Sequence, residues 1–276
     1  MGAPALVGRR SGRRVPAWFV GGPLIWCLAG CAPAETEDRP DLVRPEVLLT
    51  FVAVDPDEEV VFTANSGRLP VQVDVVSAGE GTVRGGTGMN GGAVRLPAWA
   101  EQGASYAVLR VQPTGPDDEL SPQQRAFEFG ADFALDAAST GSQVDNGDNL
   151  VQRGLAVDQA QYKIEVDAGR PSCRVGGDSG STTVSSESLV DPETWYRVRC
   201  TRRGDTLTLS VAEILPDGEA ARAVSSTGTG PIGSVEMPLA TPLSVGGKLS
   251  GDGRIIEVST DQFNGLVDQV VYRLHD

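Results

Sequence analysis

The sequence of 276 residues contains very little histidine and few aromatic side chains. Its one histidine, His275, is the penultimate residue, and chain ends are often poorly ordered. A Ser-His-Asp triad is therefore disfavoured, as is a zinc site built on imidazole ligands. Aromatic residues make up 5% of the chain, so few of them are available to form a ligand-binding platform.

Basic residues are also scarce: 23 lysines and arginines stand against 37 acidic residues, a net charge of -14. This balance repels nucleic-acid phosphates and anionic membrane surfaces, and no basic patch in the sequence offsets it. We therefore expect no nucleic-acid partner. The apolar content of 40% is sufficient for a packed core, so a mainly disordered chain is not expected.

The first thirty residues have the order of an export signal. Four arginines between residues 9 and 14 precede the apolar run 17–28, which is too short to span a bilayer comfortably. The run ends in Leu28-Ala29-Gly30-Cys31, which resembles the lipobox of bacterial lipoproteins. We predict that residues 1–30 are removed and that Cys31 is lipidated, which anchors the exported protein to the outer face of the cytoplasmic membrane. The alternatives are a buried N-terminal helix and a plain secreted protein, and the Sec and twin-arginine export routes both stay open.

Residues 31–46 are predicted to form a lipidated cysteine and a disordered tether, because prolines and acids alternate there with few apolar residues. The membrane would then be contacted only through the lipid. From residue 47 to 276 the composition is uniform, which favours a single domain. A split near residues 115–123 is the alternative, since Gly115-Pro116-Asp117-Asp118 forms a turn signal.

Residues 47–276 show apolar and polar residues alternating in short runs between Gly, Asp, Asn, Ser and Pro. This pattern predicts antiparallel β-strands with one apolar and one solvated face, arranged as a two-sheet sandwich. The predicted strands cover residues 48–54, 60–63, 71–76, 93–96, 107–111, 126–136, 162–167, 195–201, 206–211, 254–258 and 266–274.

Two cysteines, Cys173 and Cys200, lie within the predicted domain. In an exported protein they favour a disulfide, while a free pair or a metal site is the alternative. Metal binding is disfavoured because the chain offers no further cysteine or histidine for a complete ligand set.

Ordered segments between residues 80 and 276 resemble a known family. They include Phe127 to Phe133, Tyr162 to Asp167, Trp195 to Cys200 and Phe263 to Tyr272. Together they are similar to the laminin G-like branch of the concanavalin A-like lectin/glucanase superfamily. The resemblance implies a two-sheet antiparallel jelly-roll sandwich that binds carbohydrates, glycoconjugates or proteins, in some members with a structural calcium ion.

Asp268 is the first candidate site residue. Strand alternation predicts that it shares a face with Leu266, Val270 and Tyr272, where a carboxylate needs a compensating partner. The resemblance implies calcium at this position, with backbone carbonyls of the opening strand as further ligands. A hydrogen bond or an ion pair within the sandwich is the alternative. No other cofactor is expected.

Three further features were considered as sites. Trp195 begins a strand and is expected to pack in the core, whereas Trp99 follows Pro97 in a loop and is the candidate ligand-binding aromatic. The cluster Asp145, Asn146, Asp148 and Asn149 offers oxygen ligands but is more typical of a turn.

Catalysis is not expected. The glucanase relatives carry two catalytic carboxylates on one strand, whereas the nearest sequence here, Glu165-Val166-Asp167-Ala168-Gly169-Arg170, lacks the second glutamate. We therefore predict a non-catalytic cell-surface lipoprotein that recognises a glycan or cell-envelope polysaccharide. The alternatives are an accessory sandwich that binds an exported protein, and a glycoside hydrolase.

Overall fold

A computed structural model describes residues 44–51, 55–61, 63–99, 105–138 and 148–275. The predicted leader, Cys31 and the tether up to residue 43 lie outside the described residues, as do Asp145 and Asn146. No helix among the described residues is long and apolar enough to cross a membrane.

The described residues form sixteen β-strands and no α-helix, as the alternating pattern predicts. The strands are β1 (Val47–Leu49), β2 (Glu59–Val60), β3 (Val71–Ala78), β4 (Val83–Gly88), β5 (Gly91–Arg95), β6 (Tyr106–Pro113), β7 (Ala126–Leu135), β8 (Asp148–Arg153), β9 (Gln161–Asp167), β10 (Arg170–Gly177), β11 (Gly180–Ser185), β12 (Trp195–Arg203), β13 (Thr206–Glu213), β14 (Val224–Thr229), β15 (Leu243–Val245) and β16 (Gly265–His275).

The strands form two antiparallel sheets, which confirms the predicted sandwich. Sheet A has the order β14-β13-β12-β7-β16-β5-β4-β2, and β1 pairs with the second half of β16. Sheet B has the order β11-β10-β9-β8-β15-β6-β3. Strands that are neighbours in the sheets are often distant in the sequence, so the fold depends on long-range pairing.

The core lies between the sheets because the apolar side chains of each strand alternate inwards. Phe127 and Phe129 of sheet A are fully buried and both pack against Tyr162 of sheet B, and Phe127 also packs against Tyr272. The centroids of their rings are 4.9 to 5.9 Å apart in these pairs, a separation typical of attractive aromatic contacts.

The sandwich has two ends, defined here by β7 and β16. At the entry end Ala126 pairs with His275, and at the far end Leu135 pairs with Gly265. The two ends are about 30 Å apart, since β7 has ten residues and a strand rises about 3.4 Å per residue.

Glu46 is part of the domain, although the sequence analysis assigned it to the tether. It is only 2% exposed, its carboxylate accepts a hydrogen bond from the backbone N–H of Leu274, and it forms an ion pair with Arg68. Residues 43–276 form one compact unit, with no separation near residues 115–123.

One predicted strand is wrong. Residues 254–258 form no strand, because Ile255 makes only an isolated bridge with Leu249. Just before them, Ser250 accepts hydrogen bonds from the N–H groups of Gly253 and Arg254 and so closes a tight loop. Six strands were not predicted: β4, β8, β10, β11, β14 and β15. Glycine, serine, threonine and charged residues replace the regular apolar residues in most of them.

Candidate functional site

The predicted disulfide is confirmed. Cys173 on β10 is bonded to Cys200 on β12, and their Cα atoms are 6.2 Å apart. Both residues are fully buried. Because β10 belongs to sheet B and β12 to sheet A, the bond joins the two sheets through the core.

Asp268 faces a different side of the sheet from the one predicted. Asp268 pairs with Asp132, whereas Val271 pairs with Gly130, so β16 contains one extra residue between them. This β-bulge includes Gln269, whose φ is 47°. The bulge turns Val270 into the core but leaves Asp268 on the outer face, and the predicted shared face with Val270 and Tyr272 is therefore wrong.

The outer face around Asp268 carries two acids and two arginines. Arg197 donates two hydrogen bonds to Asp132, at 2.9 and 2.7 Å, and Arg199 donates a third at 3.1 Å. Asp268 is 3% exposed. Burial raises the pKa of Asp268, and the negative charge of Asp132 adds to this effect, while backbone hydrogen bonds at Gln269 and Phe51 oppose it.

The described residues around Asp268 do not fit a calcium ion. Calcium needs six to eight oxygen ligands, and the neighbouring carboxylate, Asp132, is already held by two guanidinium groups. Elsewhere in the described residues, too, no three His, Cys, Asp or Glu side chains are grouped so that they could hold a metal. The ion pairs of this cluster belong to Asp132, while backbone hydrogen bonds at Gln269 and Phe51 reach Asp268, whose buried Oδ1 has no hydrogen-bond partner among the described residues.

The second oxygen-rich candidate, at Asn149, connects parts of the far end. The Asn149 side chain donates a hydrogen bond of 3.2 Å to Asp261, which also forms an ion pair with Lys248. The backbone N–H of Asn149 donates to the carbonyl of Asp261 at 2.9 Å. These contacts hold the loop between β15 and β16 against β8.

The two tryptophans have different environments. Trp195 is 9% exposed and packs with Ala93, Ala134 and Ile214, the packing role that the sequence predicts for it. Trp99 is 37% exposed. It lies at the far end, because Asn264 holds the carbonyl of Pro97 and the N–H of Leu96 bonds to Gly265.

A polar groove that the sequence analysis did not identify lies at the entry end. It has a volume of about 510 Å³ and is lined by Gln123, Gln124, Arg125, Ser234 and Glu236. These residues offer two amides, a guanidinium, a hydroxyl and a carboxylate. The set can donate and accept hydrogen bonds in several directions, as recognition of a hydroxyl-rich ligand requires.

Arg202 braces the two loops that line this groove. It is buried, and its guanidinium donates hydrogen bonds to the carbonyls of Gln123 (2.8 Å), Gly233 (2.7 Å) and Gly204 (2.6 Å). Gln123 and Val235 also exchange backbone hydrogen bonds of 2.9 and 3.0 Å across the groove. These hydrogen bonds fix the positions of the two loops relative to each other.

Gln123 adopts a left-handed conformation with a φ of 55°, which is unfavourable for a residue with a side chain. The hydrogen bonds to Arg202 and Val235 stabilise it in this conformation. Backbone strain of this kind is often found at functional sites. The only signal in the sequence is the run Gln123-Gln124-Arg125 after Pro122, which does not by itself distinguish a binding loop from an ordinary surface turn.

The pair Glu165 and Asp167 provides no catalytic arrangement. Glu165 forms an ion pair with Lys163 and accepts a hydrogen bond from Ser172, and so is engaged within sheet B. The groove contains one carboxylate, Glu236, whereas glycoside hydrolysis needs two carboxyl groups across the scissile bond.

The amino-acid sequence matches the model of a known protein family. Residues 150–274 match the family model described as "Laminin G domain". None of the curated proteins matches the chain.

Several solved structures are similar to the fold. The binding domain of Paraclostridial mosquitocidal protein 1 has a TM-score of 0.53 and 14% identity, over 84% of this chain and 50% of that one. The LG1-3 region of the laminin alpha2 chain has a TM-score of 0.43 and 11% identity, over 64% of this chain and 34% of that one. This chain therefore spans half the length of the first and about a third of the second.

Proposed function

This chain carries a laminin G-like domain, and from that premise we propose that it is a non-catalytic binding protein that recognises a carbohydrate through the polar groove. The proposal rests on five polar residues that line the groove on loops fixed by Arg202. They are Gln123, Gln124, Arg125, Ser234 and Glu236. Amide, guanidinium and carboxylate groups held on rigid loops can hydrogen bond to sugar hydroxyls without a large ordering cost.

The position of Trp99 limits where the ligand can bind. A glycan site often combines an aromatic face with polar groups, but Trp99 lies at the far end, about 30 Å from the groove. One short oligosaccharide could not contact both regions. We assign recognition to the groove, because five polar residues line it and its loops are fixed by Arg202.

A glycan array of cell-envelope and host-type sugars, probed with residues 43–276, tests this proposal. We expect Gln124→Ala and Glu236→Ala each to weaken binding about tenfold, since each removes hydrogen bonds to the ligand. Gln72→Ala is the matched control: Gln72 is an exposed glutamine on β3, outside the groove, and its loss should leave affinity unchanged.

Three results would contradict the proposal. These are the absence of any bound sugar at high protein concentration, loss of binding in Trp99→Ala with unchanged binding in both groove variants, and release of reducing ends from a bound glycan. The second result would move the site to the far end, and the third would indicate a hydrolase.

We also propose that the protein is exported and lipid-anchored through Cys31. The leader, the apolar run and Leu28-Ala29-Gly30-Cys31 support this, because they occur in the order that lipoprotein processing requires. Cys31→Ser should release the mature protein from the membrane fraction into the medium or leave its precursor uncut. Retention of a fully processed Cys31→Ser protein in the membrane would contradict the proposal.

A further inference from the structure

One side of the sandwich has an unprotected pair of sheet edges. Sheet A ends in β14 and sheet B in β11, and these strands are adjacent, since Gly228 packs against Val184. On the opposite side β2 has only two residues, and the edge of β3 is covered by hydrogen bonds to Val61 and Thr63.

The exposed edge strands lack the usual features that prevent edge pairing. β14 reads Val-Ser-Ser-Thr-Gly-Thr and β11 reads Gly-Ser-Thr-Thr-Val-Ser, with no charged residue and no proline in either. β14 pairs with β13 over its full length without a bulge. Proteins normally protect such edges with lysine, proline, bulges or short strands, so this edge is competent to pair with another strand.

We propose that β14 pairs antiparallel with β14 of a second copy of this chain. A two-fold axis perpendicular to the sheet passes through one residue position, because paired residues share a face of the sheet. At Ser226 it would place Ser226 opposite Ser226 of the second copy and Val224 opposite its Gly228. The two copies of sheet A would then form one continuous sheet. The small uncharged side chains allow close approach although each copy carries a net charge of -14.

Charges at the two ends of β14 are complementary in this arrangement. Exposed Arg222 lies two residues before the strand and forms no ion pair with a described residue. Exposed Asp205 lies beside the other end, where its carbonyl accepts a hydrogen bond from the N–H of Gly230 at 3.1 Å and its carboxylate accepts one from the N–H of Ile232 at 3.2 Å. Antiparallel pairing places Arg222 of each copy near Asp205 of the other, so two ion pairs form at once.

This interface is independent of the groove and its ligand. The groove lies at the entry end, in loops that precede β7 and follow β14, and none of its lining residues belongs to the paired segment Val224–Thr229. The proposal would therefore stand if the groove bound no carbohydrate.

Sedimentation equilibrium of residues 43–276 tests the proposal, and a concentration-dependent dimer is expected. Thr227→Lys adds a charge at the centre of the edge and should weaken the dimer at least about tenfold. Its matched control is Thr208→Lys, because Thr208 pairs with Thr227 on the same face but one strand inside the sheet. The control should dimerise like the wild type.

A charge exchange tests the orientation of the strands. Arg222→Asp alone should weaken the dimer about tenfold, because it places two acids together at each end, and combining it with Asp205→Arg should restore dimerisation. Amide hydrogen exchange in Val224–Thr229 should slow as protein concentration rises. A monomer at all concentrations, or a dimer unaffected by Thr227→Lys and Arg222→Asp, would overturn the proposal.

Discussion

Asp268 shows how a single buried acid is accommodated on the outside of a sheet. The residue is 3% exposed, yet it is not in the core, because the bulge at Gln269 keeps it beside Asp132. Arg197 and Arg199 neutralise Asp132, and the backbone at Gln269 and Phe51 bonds to Asp268. Burial nevertheless disfavours its ionised form.

Replacing Asp268 by asparagine should therefore change the pH dependence of stability. The folded-state pKa of Asp268 lies above its ordinary value of 3.8, so its contribution is greatest below that value and is lost as the pH rises through the folded pKa. We expect Asp268→Asn to gain stability relative to the wild type between about pH 4 and 7, as measured by melting temperature.

Asp167→Asn, at an exposed position on β9, serves as the control for a general charge effect. A constant difference in melting temperature between Asp268→Asn and the wild type across this pH range would contradict the assigned pKa shift.

The sequence could predict that Asp268 needs a compensating partner, but not which partner it has. Strand alternation assumes a period of two, and one inserted residue reverses the face of every position after it. The partners of Asp268 also lie on strands more than a hundred residues earlier and some seventy residues earlier, at Asp132 and Arg197. The local sequence around Asp268 does not show that these residues lie beside it.

At the level of elements, the bulge in β16 has a backbone cost that can be measured. Gln269 adopts a φ of 47°, which is easy for glycine and worst for β-branched residues. We expect Gln269→Val to be less stable than Gln269→Gly by at least about 1 kcal/mol in urea unfolding. Both variants lose the glutamine side chain, so the comparison isolates the backbone. Equal stability would mean that the bulge relaxes.

The disulfide between β10 and β12 should contribute strongly to stability. It closes a loop between residues 27 positions apart, for which the chain-entropy model gives roughly 3 to 4 kcal/mol. The double variant Cys173→Ala/Cys200→Ala should unfold at correspondingly lower denaturant concentration. A reductant should lower the stability of the wild type and leave the variant unchanged; an identical response of both proteins would exclude the bond.

Strands were predicted well where apolar residues alternate and poorly where they do not. β9 and β13 read as strands because Tyr162, Ile164 and Val166, and likewise Leu207 and Leu209, face the core. β14 contains one strongly apolar residue, Val224, and it is held in place by its pairing with β13 rather than by a buried face. Its pairing is a long-range property, and the sequence pattern of a six-residue segment does not reveal it.

For the whole molecule, the N-terminal boundary of the domain is set by Glu46. A fragment that begins at Val47 leaves the backbone N–H of Leu274 and the guanidinium of Arg68 without this acceptor. We expect it to be about 1 to 3 kcal/mol less stable in urea than a fragment that begins at Val43. A fragment that begins at Pro45 keeps Glu46 and should match the longer one. Equal stability of all three would mean that Glu46 contributes nothing.

The fold class could be predicted from the sequence, whereas the groove could not. Its two loops, at Gln123 and Ser234, are about 110 positions apart and are joined through Arg202 and through the backbone hydrogen bonds between Gln123 and Val235. Arg202 lies on β12 among charged neighbours, where the sequence gives no sign that it is buried. Predicting the site would have required knowledge of which strand ends meet.

The chain enters the domain at the end that holds the groove, and this affects how a protein anchored through Cys31 would be oriented at the membrane. A tether from Cys31 to Arg44 spans at most about 45 Å when fully extended, and it would join the domain at the end that holds the groove. Because the proposed pairing through β14 is antiparallel, the anchored ends of the two copies would lie at opposite ends of the dimer, and both could be held at the membrane only if the dimer lay parallel to it.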